Sequence, residues 1–184
     1  KTILKVPFTS QAPLAVWDYL HDEACEEASL LMVHFYRTSQ KFASPLEADS
    51  EIRKLISWEG SNGYKVDLTV SEASEVAQKY FQLRSGRVLK KPTVEQLKTE
   101  LSAGRPVIVP AAGRLLLNPN FKVPGPLYHM LVLKGYDQDG FIVNDPGTRR
   151  GESYRYSFER IMTAMHDWDA ADILNGQKAV LVFD

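Results

Sequence analysis

One cysteine in 184 residues excludes an intrachain disulfide and any zinc site built on a cysteine pair. Charge imbalance is missing too. With 22 basic against 23 acidic residues the net charge is −1, which gives no electrostatic case for binding nucleic acid or an anionic membrane. No apolar run approaches the length of a membrane span, no signal-peptide pattern opens the chain, and no repeat or linker divides it. What remains is an ordinary globular composition, 44% hydrophobic and 24% charged, expected to form a single domain over residues 1–184. The first residue is Lys rather than Met, so the chain reads as processed or truncated. An extracytoplasmic place, secreted or at the cell surface with a leader removed, is favoured over the cytoplasm. Nothing in the residues bears on oligomeric state.

The one cysteine stands in a telling position. From Cys25, apolar residues recur at Ala28, Leu31, Met32 and Phe35, the spacing of one buried helical face. The acidic cluster Asp22, Glu23, Glu26 and Glu27 matches the positive end of a helix dipole, so the helix is expected to begin near Cys25. Unpaired N–H groups at such a helix start stabilise a thiolate, although a lone cysteine on an apolar face is more often a small buried hydrophobe.

Along the chain, Lys1 to Phe8 alternates like a short strand stopped by Pro7, and Thr9 to Pro13 reads as a loop leading to the cysteine helix. A second helix is expected from Ser44-Pro45 through Trp58, closed by Gly60 to Gly63. Thr69 or Ser71 caps a third through Phe81, and Thr93 with Gln96 makes a capping box for a fourth ending at Gly104. The second half is β-rich: Val107 to Ala111, Tyr128 to Tyr136, Phe141 to Asp145, Ser153 to Tyr156 and Ala179 to Phe183, with one helix over Ser157 to Met165. Gly113 to Pro126 is too rich in Pro, Gly and Asn for regular structure and reads as a surface loop. The pattern predicts an α+β fold, with helices first and an antiparallel sheet second.

Among the histidines, His21 and His166 sit in charged surroundings and are expected to be solvated, and His34 to flank the core or the surface. His129 is different: it opens an apolar strand directly after the Pro-Gly-Pro loop, at what reads as a sheet edge. Asp145 closes the next strand and is followed by Pro146-Gly147, which also suits a plain turn aspartate. A three-residue bulged hairpin loop with Gly140 left-handed would set Asp145 opposite Leu133, on the His129 face. A flat ladder then leaves a gap of about 13 Å, which coiling or a second bulge has to close. Gln11, in the loop before the cysteine helix, has an amide able to donate to an oxyanion, though most loop glutamines are simply solvated.

Four segments together resemble a known family: Val6 to Gln11, Cys25 to Leu30, His129 to Asp137 and Val143 to Gly147. Gln, then Cys opening a helix, then His opening a strand, then Asn-Asp-Pro ending its partner is similar to the bacteriocin-leader type of cysteine peptidase. That family lies within the papain-like superfamily and includes stand-alone bacterial C39-like domains. The resemblance implies a papain-like cysteine peptidase fold, a helical lobe packed on an antiparallel sheet with a cleft between them. It implies Cys25 as nucleophile, His129 as general base, Asp145 as its orienter and Gln11 as oxyanion donor, acting on a peptide or protein substrate without cofactor or metal. Leader-processing members carry Gly-Pro after the cysteine, where this chain has Glu26-Glu27, so a double-glycine leader is not the expected substrate. Glu26 is expected to border the cleft and Glu27 to point outward and serve the helix. Two other readings stay open: a catalytically silent peptide-binding module, and an amidase or transpeptidase acting on cell-wall peptides.

Overall fold

The computed structural model describes residues 1–184. Six α-helices and seven strands follow one another, beginning with β1 (Thr2–Ile3), α1 (Tyr19–Asp22), α2 (Cys25–Arg37), α3 (Pro45–Ser61) and α4 (Val70–Phe81). Next come β2 (Gly86–Lys90), α5 (Val94–Ser102), β3 (Val107–Ala112), β4 (Tyr128–Tyr136), β5 (Phe141–Asn144), β6 (Tyr154–Tyr156), α6 (Phe158–Ala164) and β7 (Ala179–Phe183). The helix starts follow their caps. Ser44 accepts from the Glu47 N–H with Pro45 in the first turn, and Thr69 and Thr93 each close a capping box, with Glu72 and Gln96. Gly104, just past α5, takes a left-handed φ of +82°, where a β-carbon would be strained.

The sheet runs β2-β7-β3-β4-β5-β6, antiparallel throughout, with β1 laid on the far end of β4. The side chains of β4 alternate between two cores. Met130 and Val132 join α2 and α4 in the larger one, while Leu131 and Leu133 pack with Leu97 and Leu101 of α5 and Ile161 of α6. The helix that carries the cysteine is pinned by this packing. Leu30, Leu31, Met32 and Val33 are buried, and Ser29 Oγ donates to the Met130 carbonyl (3.2 Å) across to β4. Truncating Leu31 to Ala would cost about 2–5 kcal/mol, the usual range for a buried leucine.

Four local readings need correction. The first strand is only two residues long, because Pro7 and the loop beyond it leave the sheet. β2 has no apolar run to announce it and is held by pairing along β7. β4 lies between β3 and β5, so His129 opens an interior strand rather than an edge. The β4–β5 hairpin pairs Tyr136 with Phe141 directly, and its register shifts again between Leu133 and Gly135. Gly140 is not left-handed: a β-carbon there would sit 2.1 Å from the Tyr156 carbonyl oxygen, so close approach is what calls for glycine. With Val132 facing Asn144, the ladder extrapolates to Leu131 opposite Asp145, two residues closer to His129 than a simple bulged loop would give.

Candidate active site

The start of α2, the start of β4 and the loop before β4 enclose a cleft of about 470 Å³. Gln11, Cys25 and His129 all line it, and Asp145 lies directly behind His129 with no solvent exposure. The four residues singled out from the sequence thus meet at one end of the sheet. Their hydrogen bonds are uneven.

His129 and Asp145 are tightly joined. Nε2 of His129 lies 2.7 Å from Asp145 Oδ1, which also accepts from the Gly147 N–H (3.0 Å). The other carboxylate oxygen accepts from the Tyr156 hydroxyl (2.7 Å) and from Asn118 Nδ2 (3.3 Å), and Asn118 also donates to the Tyr156 oxygen. Burial alone would raise the Asp145 pKa. The His129 charge and its hydrogen bond, the Tyr156 hydroxyl and the Gly147 N–H outweigh that and hold it below the ordinary value. A carboxylate facing Nε2 fixes the tautomer with hydrogen on Nε2, leaving Nδ1 as the ring's basic nitrogen. The ring is wedged as well. Phe121 meets it edge-on at 5.3 Å between centroids, and a β-carbon on Gly147 would stand 2.8 Å from its Cε1. Sequence reasoning missed Tyr156 and Asn118, because an aromatic in a short strand and an asparagine in a Pro-rich loop carry no local sign of convergence.

Cys25 opens α2 as expected, but its thiol is hydrogen-bonded to Glu26 rather than to His129. The sulfur donates to Glu26 Oε2 (2.9 Å), whose other oxygen accepts from the Leu68 N–H (3.2 Å). Burial, then the charge and hydrogen bond of Glu26, then Glu27, push the thiol well above its usual pKa, with the Met130 backbone pulling the other way. Burial and Glu27 likewise drive the Glu26 carboxyl well above the ordinary range. Glu27 does not point outward. It is 3% exposed, in hydrogen-bonding contact with Glu59 at the end of α3, because the first turn of α2 is enclosed on that side as well.

Gln11 is committed to the backbone. Its Nε2 donates to the carbonyls of His21 (2.8 Å) and Asp22 (2.9 Å), and its own N–H donates to the Pro146 carbonyl (2.9 Å). It thereby ties the segment before α1 both to the end of α1 and to the turn after Asp145. His21 is buried rather than solvated, with Nδ1 on Asp18 (2.7 Å) and Nε2 on Asp49 (2.8 Å), and so anchors the same segment. The cleft also carries aromatic and acidic side chains, Trp17, Phe121, Tyr128 and Trp168 beside Asp22, Glu23 and Asp67, together with Lys122. The segment from Phe121 to Leu127, in the loop between β3 and β4, forms one wall. No group of three or more His, Cys, Asp or Glu side chains is placed to hold a metal ion, and no helix is long and apolar enough to cross a membrane.

A family model described as "Peptidase_C39 like family" matches residues 3–172. Among solved structures, the chain is similar to a candidate C39-like peptidase from Bacillus anthracis, with a TM-score of 0.64 and 17% identity, over 100% of this chain and 98% of that one. At that identity the likeness speaks for the fold alone. No curated protein matches the chain.

Proposed function

The chain belongs to the C39-like peptidase family, and from that premise we propose that it hydrolyses peptide bonds with Cys25 as nucleophile, His129 as general base and Asp145 as the residue that orients the ring. The observation that carries this reading is the buried His129–Asp145 pair (2.7 Å) opening onto the same cleft as a thiol at a helix start. Asp145 holds the proton on Nε2, so Nδ1 takes the proton from the Cys25 sulfur once the thiol turns away from Glu26. The thiolate attacks the peptide carbonyl carbon, a C–S bond forms and the carbonyl electron pair becomes an oxyanion. The Cys25 N–H, free of any intrahelical partner, donates to that oxygen. Gln11 joins it by exchanging one of its two carbonyl partners for the oxyanion. The His129 imidazolium then protonates the leaving nitrogen as the C–N bond breaks, and water activated by the same ring hydrolyses the thioester.

A second reading, a peptide-binding module without turnover, draws on one observation: the thiol donates to Glu26, and burial with the Glu26 charge pushes its pKa well above the usual value. The two readings part on a single experiment. Incubation with a mixture of unstructured peptides and with cell-wall stem peptides, followed by mass spectrometry for new α-amines, should show cleavage of peptides that iodoacetamide abolishes. Intact peptides together with a thiol no faster than free cysteine would favour the silent module, and release confined to stem peptides would favour the cell-wall amidase.

A further inference from the structure

A second cavity, of about 220 Å³, lies on the other side of the first turn of α2 and shares Glu23 with the catalytic cleft. Glu27 and Glu59 face it, each only 3% exposed. No N–H or O–H of the protein reaches Glu27 Oε2 or Glu59 Oε1, so these buried carboxyl groups have only each other. Leu20, Ile56 and Val66 alongside Tyr19 and Tyr64 make the apolar walls, and the exposed Lys65 also borders the cavity.

We propose that this cavity binds the basic side chain of a lysine or arginine in the substrate peptide, the ammonium or guanidinium reaching the Glu27–Glu59 pair and the methylene stem lying along the apolar walls. The substrate part of this inference rests on the peptidase reading. The shape favours an organic cation over a metal ion, since a hard cation needs six or more oxygens and two carboxyl groups in an apolar cavity do not supply them. A basic side chain needs what is present, a charged end and a greasy stem. Approach favours it as well. Asp22, Glu23 and Asp67 outnumber Lys122 in the lining of the cleft, and Glu23 is shared between the cleft and the cavity. Burial pushes Glu59 up to about 7 and Glu27 well above the ordinary range, the cost of enclosing two carboxyl groups side by side.

The test uses Cys25→Ala protein, which binds without turnover, and titrates Nα-acetyl-lysinamide against Nα-acetyl-norleucinamide by calorimetry. The lysine probe should bind saturably and at least about tenfold more tightly than the norleucine probe, which lacks only the ammonium group. Glu59→Gln and Glu27→Gln, isosteric changes that remove buried charge and should leave the fold intact, should each erase most of that difference. Equal binding of the two probes, no saturable binding, or a lysine preference unchanged in both variants would overturn the proposal. Wild-type hydrolysis of peptides is scored separately. Cleavage without lysine preference defeats the cavity assignment alone, and lysine binding without cleavage defeats the peptidase reading alone.

Discussion

Asp145→Asn removes one charge from the centre of a network of four hydrogen bonds and leaves the shape of the side chain intact. With its amide oxygen toward His129, the new residue still accepts from Nε2 and from the Gly147 N–H. Its NH₂ then faces the Tyr156 hydroxyl and Asn118 Nδ2, donors that had shared the second carboxylate oxygen. Tyr156 cannot simply reverse its bond, because its oxygen already accepts from Asn118 at 2.7 Å. With the amide turned round, Nε2 becomes an acceptor, Nδ1 carries the hydrogen, and the base is lost. Either way the imidazolium formed on proton transfer loses a carboxylate at 2.7 Å. A hydrogen bond to a charged group is worth about 1.5–3 kcal/mol, so its loss in the transition state corresponds to about a ten- to hundredfold fall in kcat. KM should change little, because the ground-state complex does not contain the imidazolium. Steady-state kinetics on one good peptide substrate, with thermal melting to confirm the fold, decides the point. A variant retaining more than about a third of wild-type kcat, or losing activity only through KM, would refute Asp145 as the orienter of His129.

Three further outcomes follow from the same geometry. Glu26→Gln replaces the carboxylate that accepts the Cys25 S–H with an amide that donates to sulfur, so iodoacetamide labelling at neutral pH should quicken about tenfold; an unchanged or slower rate would mean that Glu26 does not restrain the thiol. Gly147→Ala puts a β-carbon 2.8 Å from the His129 ring, so the protein should fold yet lose at least about tenfold in kcat/KM, and full activity would show that the ring is not held in place by that turn. Glu59, raised from 4.5 to about 7, favours the folded state fully below its unfolded pKa, and that contribution is lost as pH rises through about 7. Melting temperature should therefore fall between about pH 5 and 8 in wild type and less steeply in Glu59→Gln, and parallel curves would contradict this sign.

The helices were the most legible part of the chain, because their signals are local. Ser44-Pro45, Thr69 with Glu72, and Thr93 with Gln96 each state where a helix begins, and the acidic residues around Cys25 do the same for α2. The candidate site was legible by residue type and order, through Gln11, Cys25, His129 and Asp145. What escaped was whatever depends on two distant segments meeting. The extra register shift near Lys134 brings Asp145 toward His129, yet nothing around Leu133 to Gly135 distinguishes it from a regular strand. Glu27 looked like a solvated helix-start residue because its neighbour Glu59 lies 32 positions away, at the end of α3. His21 looked solvated because the carboxylate of Asp49 arrives from a different helix. Tyr156 and Asn118 converge on Asp145 only after β6 and the β3–β4 loop are in place.

The central claim is that Cys25 performs the chemistry in the cleft it shares with His129. The direct measurement compares wild type with Cys25→Ala on one peptide that the wild type cleaves, using mass spectrometry to follow both the products and the intact protein during turnover. Wild type should release two fragments and carry a transient acyl mass on the tryptic peptide containing Cys25, while Cys25→Ala melts as the wild type does and cleaves nothing. Cleavage by folded Cys25→Ala at the wild-type rate would contradict the claim outright.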